Sequence, residues 1–251
     1  MSGHSKWSTI KRKKGAIDAA KGKVFTKLVR ELTTAARLGG GDPNGNPRLR
    51  AAITAAKAES MPNDNIQRAI KKGTGALEGP PVEEHVYEGY GPGGVAFFVE
   101  AQTDNKNRTT SEVRSSFAKN SGNMGAAGSV AFMFHKRGQF VFDAAKYTED
   151  ELTEAALDAG AEDVQADAHS IVVTCDPREF AKVLDALEKR SLQYTSAELT
   201  MIPENTVKVS GGAAAECVRL MERLEELDDV QKVYANFDID DAELERIAAA
   251  G

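Results

Sequence analysis

Residues 139–202 read QFVFDAAKYTEDELTEAALDAGAEDVQADAHSIVVTCDPREFAKVLDALEKRSLQYTSAELTMI, and the apolar period switches between strand and helix along them. Gln139 to Phe142 has the pattern of a strand. Thr148 to Ala159 has that of a helix, opened by Thr148 with Glu151 three residues on, a capping box. Strand patterns follow near Val164 and at Ile171 to Cys175. A second helix is expected from Pro177 to Arg190 behind Asp176 as N-cap, and a strand from Gln193 to Ile202. The order βαββαβ is the ferredoxin-like plan. Residues 137–202 are therefore expected to form one unit.

The flanking segments extend this reading in both directions. Upstream, His85 to Tyr90 and Val95 to Ala101 are expected as strands around the turn Gly91-Pro92-Gly93-Gly94. A helix is expected to open on the capping box Thr109-Thr110-Ser111-Glu112, and Val130 to Phe134 reads as a further strand. Downstream of Pro203, a strand at Thr206 to Val209, a helix at Ala213 to Leu227 and a strand at Val230 to Phe237 complete the sheet begun near Val82. The ferredoxin-like unit would then be an insertion in a domain made of residues 80–136 and 203–240, with 241–251 as a C-terminal tail.

Ahead of the linker Gly73-Thr74-Gly75 to Gly79-Pro80-Pro81 the period is helical throughout. In the helix expected from Asp18 to Leu38, Val24, Leu28, Leu32, Ala35 and Ala36 recur at three and four residues, up to Gly39-Gly40-Gly41. Asn46 as N-cap and Pro47 at the first helical position start a second helix. Pro62 starts a third, which stops at Gly73. The expected architecture is α+β: an N-terminal three-helix domain (1–79) followed by two α/β sandwich domains, one ferredoxin-like and inserted in the other.

Charge is distributed unevenly over these parts. The chain of 251 residues carries a net −6. Residues 1–75 hold sixteen Lys and Arg against five Asp and Glu, a local +11, which leaves −17 for the remainder. Segregation of this kind points to an anionic partner for the front third. At about 100° per residue, Lys23, Lys27, Arg30 and Arg37 share one face of the first helix, opposite its apolar side. Arg68, Lys71 and Lys72 end the third helix, and Lys21 lies near the start of the first. The arm before it carries Lys6, Lys11, Arg12, Lys13 and Lys14, with Trp7 among them. Cations bind phosphates, and an exposed indole either stacks on a base or packs on a neighbouring surface.

A second anion site is suggested where Asp104-Asn105-Lys106-Asn107-Arg108-Thr109 joins a strand to a helix start. There, free backbone N–H groups and the helix dipole, with Lys106, Asn107, Arg108 and Thr109, favour a negative ligand. Capping and turn chemistry explain the same residues equally well.

Other function classes find little support. His4, His85, His135 and His169 have no metal-ligand spacing, and Cys175 and Cys217 stand apart without a CxxC pair. Both cysteines read as small buried apolar residues. The glycine-rich turns match neither the phosphate loop nor the dinucleotide fingerprint. We assign no catalytic residue, metal or cofactor. With no apolar run of membrane-spanning length and no signal-peptide pattern, a cytoplasmic protein that does not engage membranes is expected, a monomer.

Several blocks together resemble the YebC family. They are Gly3-His4-Ser5-Lys6-Trp7, Asp18-Ala19-Ala20-Lys21-Gly22-Lys23, Met61-Pro62-Asn63-Asp64-Asn65-Ile66, Tyr87-Glu88-Gly89-Tyr90-Gly91-Pro92-Gly93-Gly94-Val95, Thr103 to Thr109, Gly128-Ser129-Val130 and Val233 to Asp238. The resemblance implies a three-domain, DNA-binding probable transcriptional regulator. Mitochondrial relatives are translational activators for cytochrome c oxidase, and bacterial ones are linked to ribosomes slowed on proline-rich chains. With no transit peptide ahead of the motif, a bacterial member is expected. Lys21 and Lys106 stand where the family commonly has Arg, which removes a forked phosphate donor at each. Two partners therefore stay open, DNA and ribosomal RNA, the second with the ribosome itself. Neither a helix-turn-helix pattern nor the paired aromatics of RNA-recognition modules is visible, so contact through backbone charge and shape is expected.

Overall fold

The computed structural model describes Trp7 and residues 21–167 and 169–250, apart from the side chains of Lys21 and Ala250. The front helices are α1 (Lys21–Gly39), α2 (Pro47–Ala58) and α3 (Asn63–Gly73). They close around Leu32, Ala35, Leu49, Ala52, Ile66 and Ile70, with Phe25, Leu28 and Val29 at the edge of the cluster. Asn46 fixes the first corner. Its Oδ1 accepts from Leu49 N at 3.0 Å, and its Nδ2 donates to the orphan carbonyls of Ala35 and Gly40 at 2.8 Å each. Gly73 allows α3 to approach α1 closely, since a Cβ there would stand 2.3 Å from the Thr33 carbonyl oxygen.

The chain then changes period. β1 (Glu83–Tyr90) and β2 (Ala96–Thr103) form an antiparallel hairpin across a single 3-10 turn, Pro92–Gly94. After β2 come α4 (Lys106–Lys119) and the short β3 (Asn123–Met124). The ferredoxin-like unit follows: β4 (Phe134–Asp143), α5 (Glu149–Leu157), β5 (Asp163–Ala166), β6 (Ser170–Cys175), α6 (Phe180–Lys189) and β7 (Ser196–Pro203). Its antiparallel sheet runs β5-β6-β4-β7, the strand order of that fold.

The return segment supplies β8 (Val207–Lys208), α7 (Gly211–Glu225), β9 (Val230–Ala235), β10 (Phe237–Asp238) and α8 (Asp241–Ala250). β9 pairs with β2, so the central sheet β3-β1-β2-β9 draws strands from both sides of the insertion. Being interior, β2 is buried on both faces, which accounts for its nearly unbroken apolar sequence. One side meets Phe117, Val218, Leu220 and Met221. On the other, Ala96, Phe98 and Tyr234 meet Val130 and Phe134 at the root of the insertion.

Four local expectations need correction. The helix after β2 opens at Lys106 with Asn105 as N-cap, its Oδ1 accepting from Arg108 N at 3.1 Å, and not on the box at Thr109. Two caps competed there, and the upstream one also ends the strand. Val130 to Phe134 is a 3-10 turn, Ala131–Met133, leading into β4, because the N–H groups of Val130 and Ala131 bond the Glu88 carboxylate and not a neighbouring strand. Asp176 caps only the turn at Arg178, so α6 begins at Phe180. Residues 241–250, expected as a tail, form α8, with Leu244 and Ala248 buried in the central core. Their spacing at i and i+4 is a helical signal that is legible in the sequence.

Candidate nucleic-acid interface

The basic face of α1 does not lie uniformly in solvent. Its two middle cations are turned onto the central domain. Lys27 Nζ donates to the Glu225 carbonyl at 3.0 Å, at the C-terminus of α7, where the helix dipole favours a cation. Arg30 forms an ion pair with Asp229, whose side chain is 2% exposed. Lys23 and Arg37, at the two ends of the same face, are exposed. The sequence establishes the stripe. Its partial use as a docking surface depends on acids about two hundred residues away.

Asp229 is the centre of this junction. Its carboxylate accepts from the hydroxyls of Thr109 at 2.6 Å and Thr103 at 3.1 Å, and from the Arg108 guanidinium at 2.8 Å. Burial, the largest single influence, pushes its pKa up. The bonds from Thr109, Arg108 and Thr103 and the charge of Arg30 together outweigh burial and hold it below the ordinary carboxylate value. Two residues of the suggested anion loop, Arg108 and Thr109, are therefore bonded to an internal carboxylate. Lys106 and Asn107 are exposed at the start of α4.

A second bridge runs beside the first. Arg48 on α2 reaches both Glu31 on α1 and Glu84 on β1 at 2.7 Å, and Gln102 on β2 donates to Glu31 at 2.6 Å. The hydrogen bond with Glu31 comes first among the influences that raise the Arg48 pKa, and Arg48 in turn holds Glu84 low. The helical domain is thus fixed to the central sheet through charged contacts, and its remaining cations have a defined orientation.

Three of the remaining cations lie on α3. Arg68 and Lys71 are exposed and Lys72 is half-buried, and among the described residues the three form no ion pair. Trp7 is placed elsewhere. It is 4% exposed and belongs to the central hydrophobic cluster with Tyr87, Phe117 and Leu220, in place of packing against the first helix, and the indole is not presented for stacking. Lys6, Lys11, Arg12, Lys13 and Lys14 lie outside the described residues, as does the side chain of Lys21.

Among the described residues no group of three His, Cys, Asp or Glu is placed to hold a metal. Cys175 and Cys217 are buried in separate cores, where burial raises the thiol pKa to about 11 and about 12. No described helix is long and apolar enough to cross a membrane. Two carboxylates escaped sequence reasoning. Asp229 reads as a solvated turn acid beside Asp228. Glu88 interrupts a strand, yet it is 5% exposed and accepts from the N–H groups of Gly128, Val130 and Ala131 at 2.7 Å each. Their partners lie from 40 to about 200 residues away, and no local pattern marks them.

Comparison with known proteins agrees with this architecture. The family description "TACO1/YebC protein N-terminal domain" matches residues 5–76, and "TACO1/YebC second and third domain" matches residues 82–237. A probable transcriptional regulatory protein of Geobacter sulfurreducens is 59% identical over 247 residues, 98% of this chain and 100% of its own length. One of the same description from Syntrophus aciditrophicus is 56% identical over 250 residues, 99% of this chain and all of its own. The crystal structure of a conserved hypothetical protein from Aquifex aeolicus superposes with a TM-score of 0.79 at 49% identity, covering 89% of this chain and 92% of that one. The helical front, the split central sheet and the ferredoxin-like insertion thus belong to a chain that is a member of the TACO1/YebC family.

Proposed function

We propose that this protein is a non-enzymatic regulator that binds nucleic acid through its helical domain, acting on transcription as the names of its relatives suggest. The observation that carries this reading is the division of labour among the cations of the front third. Lys27 and Arg30 fasten the domain to the acidic remainder, while Lys23, Arg37, Arg68, Lys71 and Lys72 form no ion pair among the described residues. Fixed, unneutralised cations on a rigid support suit a polyanionic backbone. Lys106 would add a further cation from the start of α4. The α/β domains, which carry the negative charge, would set the orientation or meet a protein partner.

Translation is the second reading. Support for it is chemical: the interface is made of cations, and contacts to phosphate and shape serve ribosomal RNA as well as a promoter. Crosslinking in cells, followed by sequencing of the attached nucleic acid, tests both. Promoter DNA is the expected result, and reads dominated by ribosomal RNA would transfer the role to the ribosome. Recovery of no nucleic acid would refute both.

A further inference from the structure

Two clefts lie side by side against the helical domain. The outer, about 400 Å³, is lined by Asn65, Arg68, Ala69, Lys72 and Leu77, among others. The inner, about 330 Å³, has Phe25 and Val82 on its walls and is also reached by Arg30 and Lys72. Val29 and Lys72 line both, so the two are compartments of one groove with a mixed apolar and cationic lining. Each is at the small end of volumes that enclose an organic ligand.

We propose that this groove takes two consecutive unpaired nucleotides of a polynucleotide strand, an inference that rests on the nucleic-acid reading above. A duplex presents phosphates outward and hides its base faces in the stack. A groove lined by apolar Phe25, Val29 and Ala69 together with Lys72 and Arg68 complements the opposite arrangement, in which base faces are exposed. Lys72, common to both compartments, is placed for the phosphate between the two bases. Arg68 stands over the outer compartment for the next phosphate.

Three further features fit an unpaired base. Arg30 Nε is buried without a hydrogen-bond partner, although the guanidinium is paired with Asp229 through another nitrogen. Arg30 lines the inner compartment, and a base edge would reach this donor only by displacing the groups that cover it. Asn65 supplies an amide able to pair with a base edge, and Leu77 leaves an apolar side chain 41% exposed over the outer compartment. The acids of the lining do not cancel this. Asp104 is held by Arg108 at 3.1 Å, and Glu78 stands alone against Arg68 and Lys72.

The test is fluorescence anisotropy of the full-length protein with labelled twelve-nucleotide oligo(dT) and oligo(U), and with a twelve-base-pair mixed-sequence DNA duplex. Both single strands are expected to bind at least ten-fold more tightly than the duplex. Leu77→Ser, an uncharged change at a partly exposed side chain, is expected to cost single strands ten-fold or more and leave the duplex within two-fold. Lys57→Glu, on the exposed side of α2, should leave the single strands within two-fold. Equal binding of strand and duplex, or equal losses for both in Leu77→Ser, would overturn the groove while leaving the nucleic-acid reading intact. No binding of any probe would remove both.

Discussion

Replacing Asp229 by Asn keeps the shape of the side chain and removes the charge on which two arginines converge. In the native protein its carboxylate receives Thr103, Thr109, Arg108 and Arg30, and its side chain is 2% exposed. An amide retains one acceptor oxygen but turns an NH2 toward donors on its other side. The threonine hydroxyls can rotate to accept, whereas the guanidinium groups cannot. Hydrogen bonds to charged groups contribute roughly 1.5–3 kcal/mol each. The Arg108 side chain is 42% exposed and recovers part of its loss from water, while Arg30 at 15% recovers little. The expected cost is about 2–4 kcal/mol, a large fraction of typical domain stability. Trp7, the single tryptophan, lies in the central core, so its fluorescence during urea unfolding reports this domain. Because the folded carboxylate is held below its ordinary pKa, its stabilisation is present above roughly pH 4 and lost as pH falls through the lower folded value. The gap between wild type and Asp229→Asn should therefore be constant from pH 7 to about 5 and close below about 4. A gap under about 0.5 kcal/mol at pH 7, or one that widens in acid, would refute the assignment of Asp229 as the charged centre of the junction.

Two other sites give independent outcomes. Glu88→Gln sets an NH2 against at least one of the three N–H donors at Gly128, Val130 and Ala131, and should lower stability by about 2–4 kcal/mol, with faster hydrogen exchange at those amides. Exchange unchanged at the three would show that the turn does not depend on this carboxylate. Cys175 and Cys217, whose thiol pKa values are raised to about 11 and about 12, should resist alkylation at pH 8 in the native protein and react in denaturant, as mass spectrometry would show. Rapid native labelling would place at least one of them at the surface.

The elements with a strong local period were legible in the sequence. Asn46 with Pro47, the capping box at Thr148 and Glu151, and the βαββαβ order each act within a few residues, and the structure has them where they were expected. Local competition caused the misplaced starts: Asn105 and Thr109 both offer a cap, and only the ladder geometry of β2 selects the first. The basic residues of α1 were equally visible, but their division into docking and free cations was not. That division depends on Asp229 and the end of α7, brought alongside by a sheet whose strands β2 and β9 are separated by the whole insertion. Trp7 shows the same limit. Composition placed it in a charged arm, and its burial depends on a hydrophobic surface assembled from distant segments.

The salt dependence of duplex binding tests the central claim most directly. With about six phosphates neutralised, log affinity should fall against log salt with a slope near −5. Changing Arg68, Lys71 and Lys72 together to Gln should remove about three of these contacts and bring the slope to about −2 to −3, with the fold unchanged by circular dichroism. A slope close to zero in the wild type, or one that the triple substitution leaves unaltered, would contradict the assignment of the helical domain's free cations to a polyanionic partner.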